Sequence, residues 1–273
     1  EDDEKAGIAK FDGNVTAGVT IAGGDATELS QAEFTANLTG ATVMTEAGGT
    51  ATFKTSGSSA NTITGAITTT NSKGTLIVAN TAGTTFTAGI GTDAAKLLAA
   101  TVNASSVAEF QGAIAADTLT ITGTATLGAA TNESEVFAMG ASSVLYIDNT
   151  ITNGQTVISE VATTRPTLTS GAKIYIPENL TNGQTLTLFA EEADNTLADD
   201  ADTITESNAA IQDNGLFNYV AASSSDTLVV TANAKAEATT ASELSVTANA
   251  ARALKQALAS AISDTNVDAT AED

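Results

Sequence analysis

The sequence predicts an all-β fold, a parallel β-helix (β-solenoid) of about eleven rungs that ends in a short α-helix. Three observations predict it. A short phrase recurs along the first half of the chain, polar and apolar residues alternate over many segments, and aromatic residues are scarce while Thr and Ala are abundant. A thin core of small and aliphatic side chains suits stacked rungs, because one repeat cannot bury its apolar face alone.

The recurring phrase is an aromatic or aliphatic residue followed by small and aliphatic residues at every second position. Its copies are Phe11–Val15, Phe34–Leu38, Phe86–Ile90 and Phe110–Ile114, with Ile63–Ile67 as a variant. A second phrase, Thr-Asn-Gly-Gln-Thr, occurs at Thr152–Thr156 and again at Thr181–Thr185. Degenerate repeats at this spacing are typical of a stacked array.

Strict alternation predicts strands over Val15 to Ile21 and over Leu119 to Leu127, with Thr on the outward face. Outward Thr side chains in neighbouring rungs are expected to form ladders of hydrogen bonds along the stack. Further predicted strands are Thr75 to Ala79, Val144 to Ile147, Lys173 to Ile176, Leu186 to Ala190 and Thr227 to Thr231. A β-sandwich or barrel with antiparallel hairpins is the competing architecture, because Asn-Gly pairs also favour hairpin turns.

The chain divides into three predicted regions. Residues 1–10 are an acidic leader, residues 11–232 form the solenoid, and residues 233–273 are a linker, a helix and an acidic tail. Residues 93–100 fit either a short helix capped by Asp93 or a strand with a bulge.

The region after the solenoid is predicted in more detail. Residues 234–241 are predicted to be a low-complexity linker, and residues 249–263 a helix with Asn249 as its N-cap. Leu254, Leu258, Ala261 and Ile262 share one face of that helix. Covering the last strand edge, docking on a neighbouring subunit and linking to something downstream are its alternative roles.

The first 230 residues resemble the passenger domains of bacterial autotransporters and related β-helical cell-surface proteins. Phe11–Val15, Leu119–Gly128 and the two Thr-Asn-Gly-Gln-Thr phrases carry the resemblance. It implies a right-handed parallel β-helix displayed outside a bacterial cell. No membrane β-barrel follows residue 273 in this sequence, so retention at the surface would need self-assembly or another component.

Composition excludes several function classes. The chain has no His and no Cys, which rules out Ser-His-Asp and Cys-His catalysis and imidazole or thiolate metal ligands. Sugar-active β-helical enzymes usually line their grooves with aromatics, and this chain has three Tyr and no Trp. We therefore expect no enzyme activity and no cofactor.

Acidity limits the partners. A formal net charge of −22 disfavours nucleic acid and anionic lipid surfaces and attracts cations. Residues 191–208 are predicted to form an acidic loop that protrudes from the solenoid. Within it, Asp194, Asp199, Asp200 and Asp202 are candidate calcium ligands, because clustered carboxylate oxygens suit Ca²⁺. The spacing matches neither of the common calcium-loop motifs, and a solvated acidic loop is the alternative.

Two functions remain from the sequence. The first is an extracellular structural protein, a self-associating subunit of a bacterial surface fibre, sheath or surface layer. The second is an adhesin-like autotransporter passenger that binds host or neighbouring cells through a cell-surface or glycan partner. The start at Glu1 without Met indicates a processed chain, so we expect an extracellular or cell-surface location after removal of a signal peptide. No segment is apolar and long enough to span a bilayer as a helix.

Overall fold

The computed structural model describes residues 7–23, 29–46, 50–70, 72–161, 166–191, 207–224 and 227–265. Most of these residues lie in β-strands. The strands are β1 (Ile8–Phe11), β2 (Val19–Gly23), β3 (Leu29–Phe34), β4 (Thr42–Glu46), β5 (Thr50–Gly57), β6 (Asn61–Ile63), β7 (Ile67–Thr69), β8 (Lys73–Asn80), β9 (Thr84–Phe86), β10 (Leu97–Val102), β11 (Val107–Phe110), β12 (Ala115–Ile121), β13 (Thr124–Leu127), β14 (Asn132–Met139), β15 (Val144–Ile147), β16 (Thr156–Val161), β17 (Thr167–Leu168), β18 (Lys173–Tyr175), β19 (Thr185–Glu191), β20 (Ile211–Gln212), β21 (Phe217–Ser224) and β22 (Thr227–Ala234). The expected all-β class is confirmed.

The described strands form three sheets, which we name A, B and C. Sheet A has the order β1-β3-β5-β8-β10-β12-β14-β16-β19-β22-β21, with β17 also paired to β14. Sheet B has the order β20-β18-β15-β13-β11-β9-β6, and sheet C the order β2-β4-β7. From β1 to β20 the ladder partners of every sheet are parallel. The chain therefore visits the sheets in turn and returns to each one further along.

Sheets B and C continue beyond their strands through single parallel bridges. Leu38 bridges both Val15 and Ile63, which prolongs sheet B. Ile90 bridges both Ile67 and Ile114, which prolongs sheet C. Between parallel partners in sheet A, the sequence distance varies from 18 (Ala115 to Glu133) to 31 (Thr156 to Thr187). Repeats of unequal length explain why the phrase is degenerate in the sequence.

The interior is a column of stacked apolar side chains. The Phe34 ring lies between those of Phe11 and Phe53, with centroid distances of 4.9 and 4.8 Å. Phe86 and Phe110 form a second stacked pair at 5.1 Å. These spacings are close to the distance between neighbouring strands. Phe11 and Phe34, and likewise Phe86 and Phe110, are register partners, whereas Phe53 pairs with Ala32 and reaches Phe34 from two residues away.

The first recurring phrase lies at corners between sheets and not within flat strands. Phe34 ends β3 of sheet A, and Leu38 already belongs to the ladder of sheet B. Phe86 and Phe110 end strands of sheet B, and Ile90 and Ile114 extend sheet C. One sequence phrase therefore serves two different corners, because both need a buried residue before and after the bend and small residues within it.

The two longest predicted strands are also bent. The segment from Val15 to Ile21 is a bridge in sheet B followed by β2 in sheet C. The segment from Leu119 to Leu127 is divided between β12 and β13, with the bend at Gly123. A Cβ at Gly123 would lie 2.3 Å from the Asn103 carbonyl oxygen, so this corner has no room for a side chain. The alternating pattern in the sequence continues through the bend, because every second residue is buried on both sides of it.

Residues 93–100 follow the strand alternative. Thr92 and Ala95 form an antiparallel bridge that closes a tight turn, and β10 begins at Leu97. Leu97 is fully buried and pairs with Lys73 of β8 and Ala116 of β12. Pairing on both sides supplies the hydrogen bonds that an isolated helical turn would lack.

In sheet A the parallel pattern stops after β19. Strand β22 pairs antiparallel with β19, and β21 pairs antiparallel with β22. The expectation of parallel rungs up to residue 232 is wrong for this hairpin. Among the described residues, the parallel part of sheet A has nine successive layers, with β17 as a second strand beside β14, which is fewer than the predicted eleven or so rungs.

Two helices follow the hairpin, α1 (Glu237–Glu243) and α2 (Ala248–Thr265). The predicted C-terminal helix is confirmed, but the side chain that caps its N-terminus belongs to Thr247 and not to Asn249. Thr247 Oγ1 accepts a bond of 3.2 Å from the Ala250 N–H.

The predicted linker at 234–241 is wrong, because most of it lies at the end of β22 and in α1. The Leu254 side chain of the predicted apolar face is 46% exposed, whereas Ala251 is buried. None of the helices in the described part of the chain is both long and apolar enough to cross a membrane.

Candidate functional site

The predicted calcium ligands lie outside the described residues. Asp194, Asp199, Asp200 and Asp202 all fall in 192–206, so the site stays a prediction. Within the described ranges, no group of three or more acidic side chains is arranged to hold a metal ion. The most distinctive cluster of polar side chains lies elsewhere, on the outward face of sheet B near its C-terminal end.

A cleft of about 460 Å³ is lined by all three tyrosines of the chain. We call it the tyrosine cleft. Its lining residues are Thr126, Tyr146, Ile147, Asp148, Asn149, Tyr175, Ile176, Pro177, Glu178, Gln212, Asp213, Asn214 and Tyr219. The volume lies in the usual range of small-molecule sites. Three of the lining residues are acidic, and none is Lys or Arg.

Strand register places the tyrosines. Thr126 of β13 pairs with Tyr146 of β15, which pairs with Tyr175 of β18, which pairs with Gln212 of β20. These residues form one column along the stack. The rings of Tyr146 and Tyr175 are stacked at a centroid distance of 4.8 Å, and Tyr146 is 42% exposed. The neighbouring buried residues, Leu145 and Ile174, fix which side of the sheet this column faces.

Acidic and amide residues follow the same strands in the turns where each strand ends. Asp148 Oδ1 accepts bonds from the Thr150 N–H and hydroxyl, both at 2.9 Å. Asn149 Oδ1 accepts a bond of 2.9 Å from the Glu178 N–H, which ties one turn to the next. The first turn is therefore held by its own Asp148, the second is attached to it through Asn149, and Glu178 is left exposed at the rim.

Tyr219 closes the cleft from strand β21. Its ring is buried, and its hydroxyl accepts a bond of 2.8 Å from Asn214 Nδ2. Asp213 Oδ1 accepts a bond of 2.8 Å from the Tyr219 N–H. Burial, followed by the charges of Glu178 and Asp213, raises the pKa of the Tyr219 phenol to about 12. Two carboxylates therefore act on the same wall of the cleft.

The lining of the cleft combines aromatic side chains with acidic and amide side chains. Apolar walls with a few fixed polar groups are typical of ligand sites.

Sequence reasoning counted the three tyrosines but did not place them together. A usable signal was present. Tyr146-Ile-Asp-Asn149 and Tyr175-Ile-Pro-Glu-Asn179 share an aromatic residue, an acidic residue and an amide, and Gln212-Asp-Asn214 keeps the last two. The signal needs the strand register to become meaningful, because only pairing brings the three copies to adjacent layers.

The second recurring phrase is a structural turn. In each copy Gln accepts a bond of 2.7 Å from the first Thr N–H, Gln155 to Thr152 and Gln184 to Thr181. Asn153 then accepts from the Thr185 N–H at 2.9 Å, and Asn182 from the Ala234 N–H at 2.8 Å. Each copy thus attaches its turn to the strand or turn that follows in sheet A, whether that strand runs parallel or antiparallel.

Comparisons with known proteins found no matching family model, no similar curated protein and no similar solved structure. The function is therefore argued from the geometry of this chain.

Proposed function

We propose that the chain is a right-handed parallel β-solenoid that serves as an extracellular structural protein, a self-associating subunit of a bacterial surface fibre, sheath or surface layer. The observation that carries the proposal is the use of both recurring phrases for stacking, one at apolar corners and one at polar turns. Right-handedness is supported by the strong general preference of parallel crossover connections.

Self-association is supported by the N-terminal edge of sheet A. Within the described residues, β1 pairs with β3 alone. The carbonyls of Gly7 and Phe11 accept from the Gln31 and Thr35 N–H groups at 2.8 and 3.0 Å. Since alternate residues of a strand direct their backbone groups to opposite sides, the N–H and C=O groups of Ile8 and Lys10 point away from β3. Unpaired strand edges recruit other strands.

The same end of the stack is apolar. Ile8 is 63% exposed, and a hollow of about 340 Å³ is lined by Ile8, Phe11, Val19 and Ile21 together with smaller residues. A strand from a second copy laid on β1 would bury this surface, which adds a hydrophobic contribution to the backbone hydrogen bonds.

Electron microscopy and light scattering over a concentration series, with and without Ca²⁺, test the assembly. We expect ordered assemblies, and dispersed monomers at every concentration would contradict the proposal. Ile8→Pro removes an outward N–H and should reduce assembly, whereas the matched Ile8→Val keeps that N–H and should assemble like the parent chain. Equal assembly by the Ile8→Pro variant would show that β1 is not the contact.

The tyrosine cleft favours a second candidate, an adhesin-like passenger that binds neighbouring cells. This function predicts saturable binding of the monomer to cells, lost in the Tyr146→Ala variant and retained in the Ile8→Pro variant. Assembly lost with Ile8→Pro and unaffected by Tyr146→Ala would instead favour the structural role.

A further inference from the structure

The tyrosine cleft combines all three aromatic phenols of the chain with three carboxylates from successive layers of the stack. We propose that it binds a linear oligoamine, a ligand that carries several ammonium groups along an apolar chain. The proposal is independent of self-association, because it concerns the side of sheet B and not the end of sheet A.

The acidic side chains of the cleft favour a positively charged ligand. Asp148, Glu178 and Asp213 line the cleft, and no Lys or Arg of the described residues forms an ion pair with any of them. Elsewhere several described cations do have acidic neighbours, as in the pairs Lys54–Glu33 and Lys235–Glu243. A cleft walled by protein on several sides concentrates the field of its carboxylates and attracts positively charged ligands.

The distribution of the acidic residues over neighbouring strands favours a ligand with several separated charges. Asp148 follows β15, Glu178 follows β18 and Asp213 follows β20, and these strands are consecutive neighbours in sheet B. Neighbouring strands lie about 4.8 Å apart, so the three acidic residues belong to successive layers with that separation. They stand two, three and one residues beyond the paired Tyr146, Tyr175 and Gln212, so they are staggered along the strand direction. The ammonium groups of a polyamine are separated by three or four methylene groups, which is a comparable distance.

The aromatic column supplies the complementary wall for the methylene groups. Tyr146 is partly exposed, and its partner in the preceding layer is the much smaller Thr126, which leaves the outer face of the Tyr146 ring accessible. Tyrosine faces attract ammonium groups and pack against methylene chains. Neutral sugars would use the same ring, but they would gain nothing from three carboxylates in a row.

The arrangement carries a cost in the free protein, which gives the proposal a second readout. Glu178 and Asp213 both raise the pKa of the Tyr219 phenol, so their charges meet in one place without a compensating cation among the described residues. Removing the Glu178 carboxylate should therefore weaken ligand binding without weakening the fold. Residues retained for packing behave in the opposite way, since their removal lowers stability.

Calorimetric titration with spermidine, putrescine and butylamine at low and at physiological ionic strength tests the proposal. We expect affinity to rise with the number of amines and to fall with salt. Glu178→Gln should weaken spermidine binding by roughly tenfold or more while the unfolding midpoint stays equal or rises. Tyr146→Ala should weaken it as well, and Tyr146→Phe should retain it, because the ring face and not the hydroxyl makes the contact.

Glu109→Gln is the matched control. Glu109 pairs with Thr126 in the same column of sheet B but lies outside the cleft, so the same charge is removed from the same face. Equal loss of spermidine affinity in Glu109→Gln and Glu178→Gln would overturn the site, since that result means general attraction to an acidic protein. Binding of an uncharged oligosaccharide that depends on Tyr146 and not on Glu178 would overturn the ligand class. The same titration with tri-lysine in place of spermidine tests whether the cleft prefers the amines of a protein side chain or those of a free oligoamine.

Discussion

The two ends of sheet A solve the problem of an exposed strand edge differently. Strand β1 leaves the outward backbone groups of Ile8 and Lys10 without a partner among the described residues. At the other end, Asn208 accepts from the Ala221 N–H at 2.8 Å and donates to the Ala221 carbonyl at 3.1 Å, and Asp213 accepts from the Tyr219 N–H. Side chains therefore occupy backbone groups of β21 that a further strand would use.

The same contrast extends to the interior. The parallel stack is held by repeated apolar contacts, in which any layer resembles the next. The C-terminal region is held by individual side-chain bonds to backbone, such as Asn182 to Ala234 and Asn208 to Ala221. Repeated apolar contacts stabilise the stack without creating a unique site, whereas side-chain bonds that occur only once allow a cleft to form. The tyrosine cleft lies where the parallel stack meets the C-terminal region, since its residues come from β13 to β21.

The largest expected effect is in the aromatic column of the stack. Phe34→Ala removes a fully buried ring that contacts two others and should lower the free energy of unfolding by about 3–5 kcal/mol. Tyr146→Ala, which truncates an aromatic residue that is 42% exposed, should cost much less. Equilibrium unfolding in urea measures both, and similar losses would show that the stack does not depend on its aromatic interior.

The corners of the stack should show the next largest effect. A Cβ at Gly112 would lie 2.4 Å from the Ala88 carbonyl carbon, whereas a Cβ at the neighbouring Gly89 would meet only the Ala113 oxygen at 3.6 Å. Gly112→Ala should therefore cost about 1–3 kcal/mol. Gly89→Ala is the matched control and should be neutral or stabilising by a few tenths of a kcal/mol. Equal urea midpoints for the two variants would contradict the close approach of the layers.

Removing the Asn208 side chain, which covers the edge of β21, should have two effects. Asn208→Ala removes both bonds to Ala221 and should cost about 1–2 kcal/mol of unfolding free energy. It also frees the edge of β21 and should increase self-association, measured by analytical ultracentrifugation. Asn218→Ala on the same strand is the control. An unchanged sedimentation profile for Asn208→Ala would show that the edge is protected by something other than this side chain.

The smallest expected effect concerns the polar outer face of the stack. The Ser56 hydroxyl, followed by the Lys54 ammonium group, lowers the pKa of the Glu33 carboxyl below its usual value. Because the folded pKa is the lower one, this contribution is complete above the unfolded pKa and is lost as the pH falls through the folded pKa. It should amount to less than about 1 kcal/mol.

Unfolding midpoints measured from neutral to acidic pH should therefore fall slightly less in Ser56→Ala than in the parent chain. Identical acid dependence in the two proteins would contradict the contribution of this pair.

Much of the fold was predictable from the sequence because its causes are local and repeated. Alternation identified β15 at Val144 to Ile147 and most of β8, β19 and β22. It could not locate the corners, because the buried positions of Leu119 to Leu127 keep their period through the bend at Gly123. It also could not distinguish parallel from antiparallel pairing after β19, since a strand shows the same alternation of buried and outward residues in either kind of pairing.

The candidate site was less accessible. The proposed calcium ligands lie in 192–206, outside the described residues, and stay a prediction. The tyrosine cleft was missed because Tyr146, Tyr175 and Tyr219 are far apart in the chain and each looks like an ordinary surface or core residue.

The sequence by itself determined the all-β class, the buried column of Phe, Ile and Leu, the C-terminal helix and the absence of His and Cys chemistry. These depend on residue type and period, which every local window of the chain displays. Only the tertiary structure decided which strands are neighbours, that the last two strands turn antiparallel, and that three tyrosines and three carboxylates face one cleft. Those outcomes depend on register between residues up to 46 positions apart, as for Thr185 and Thr231, and register is fixed by pairing and not by any one segment.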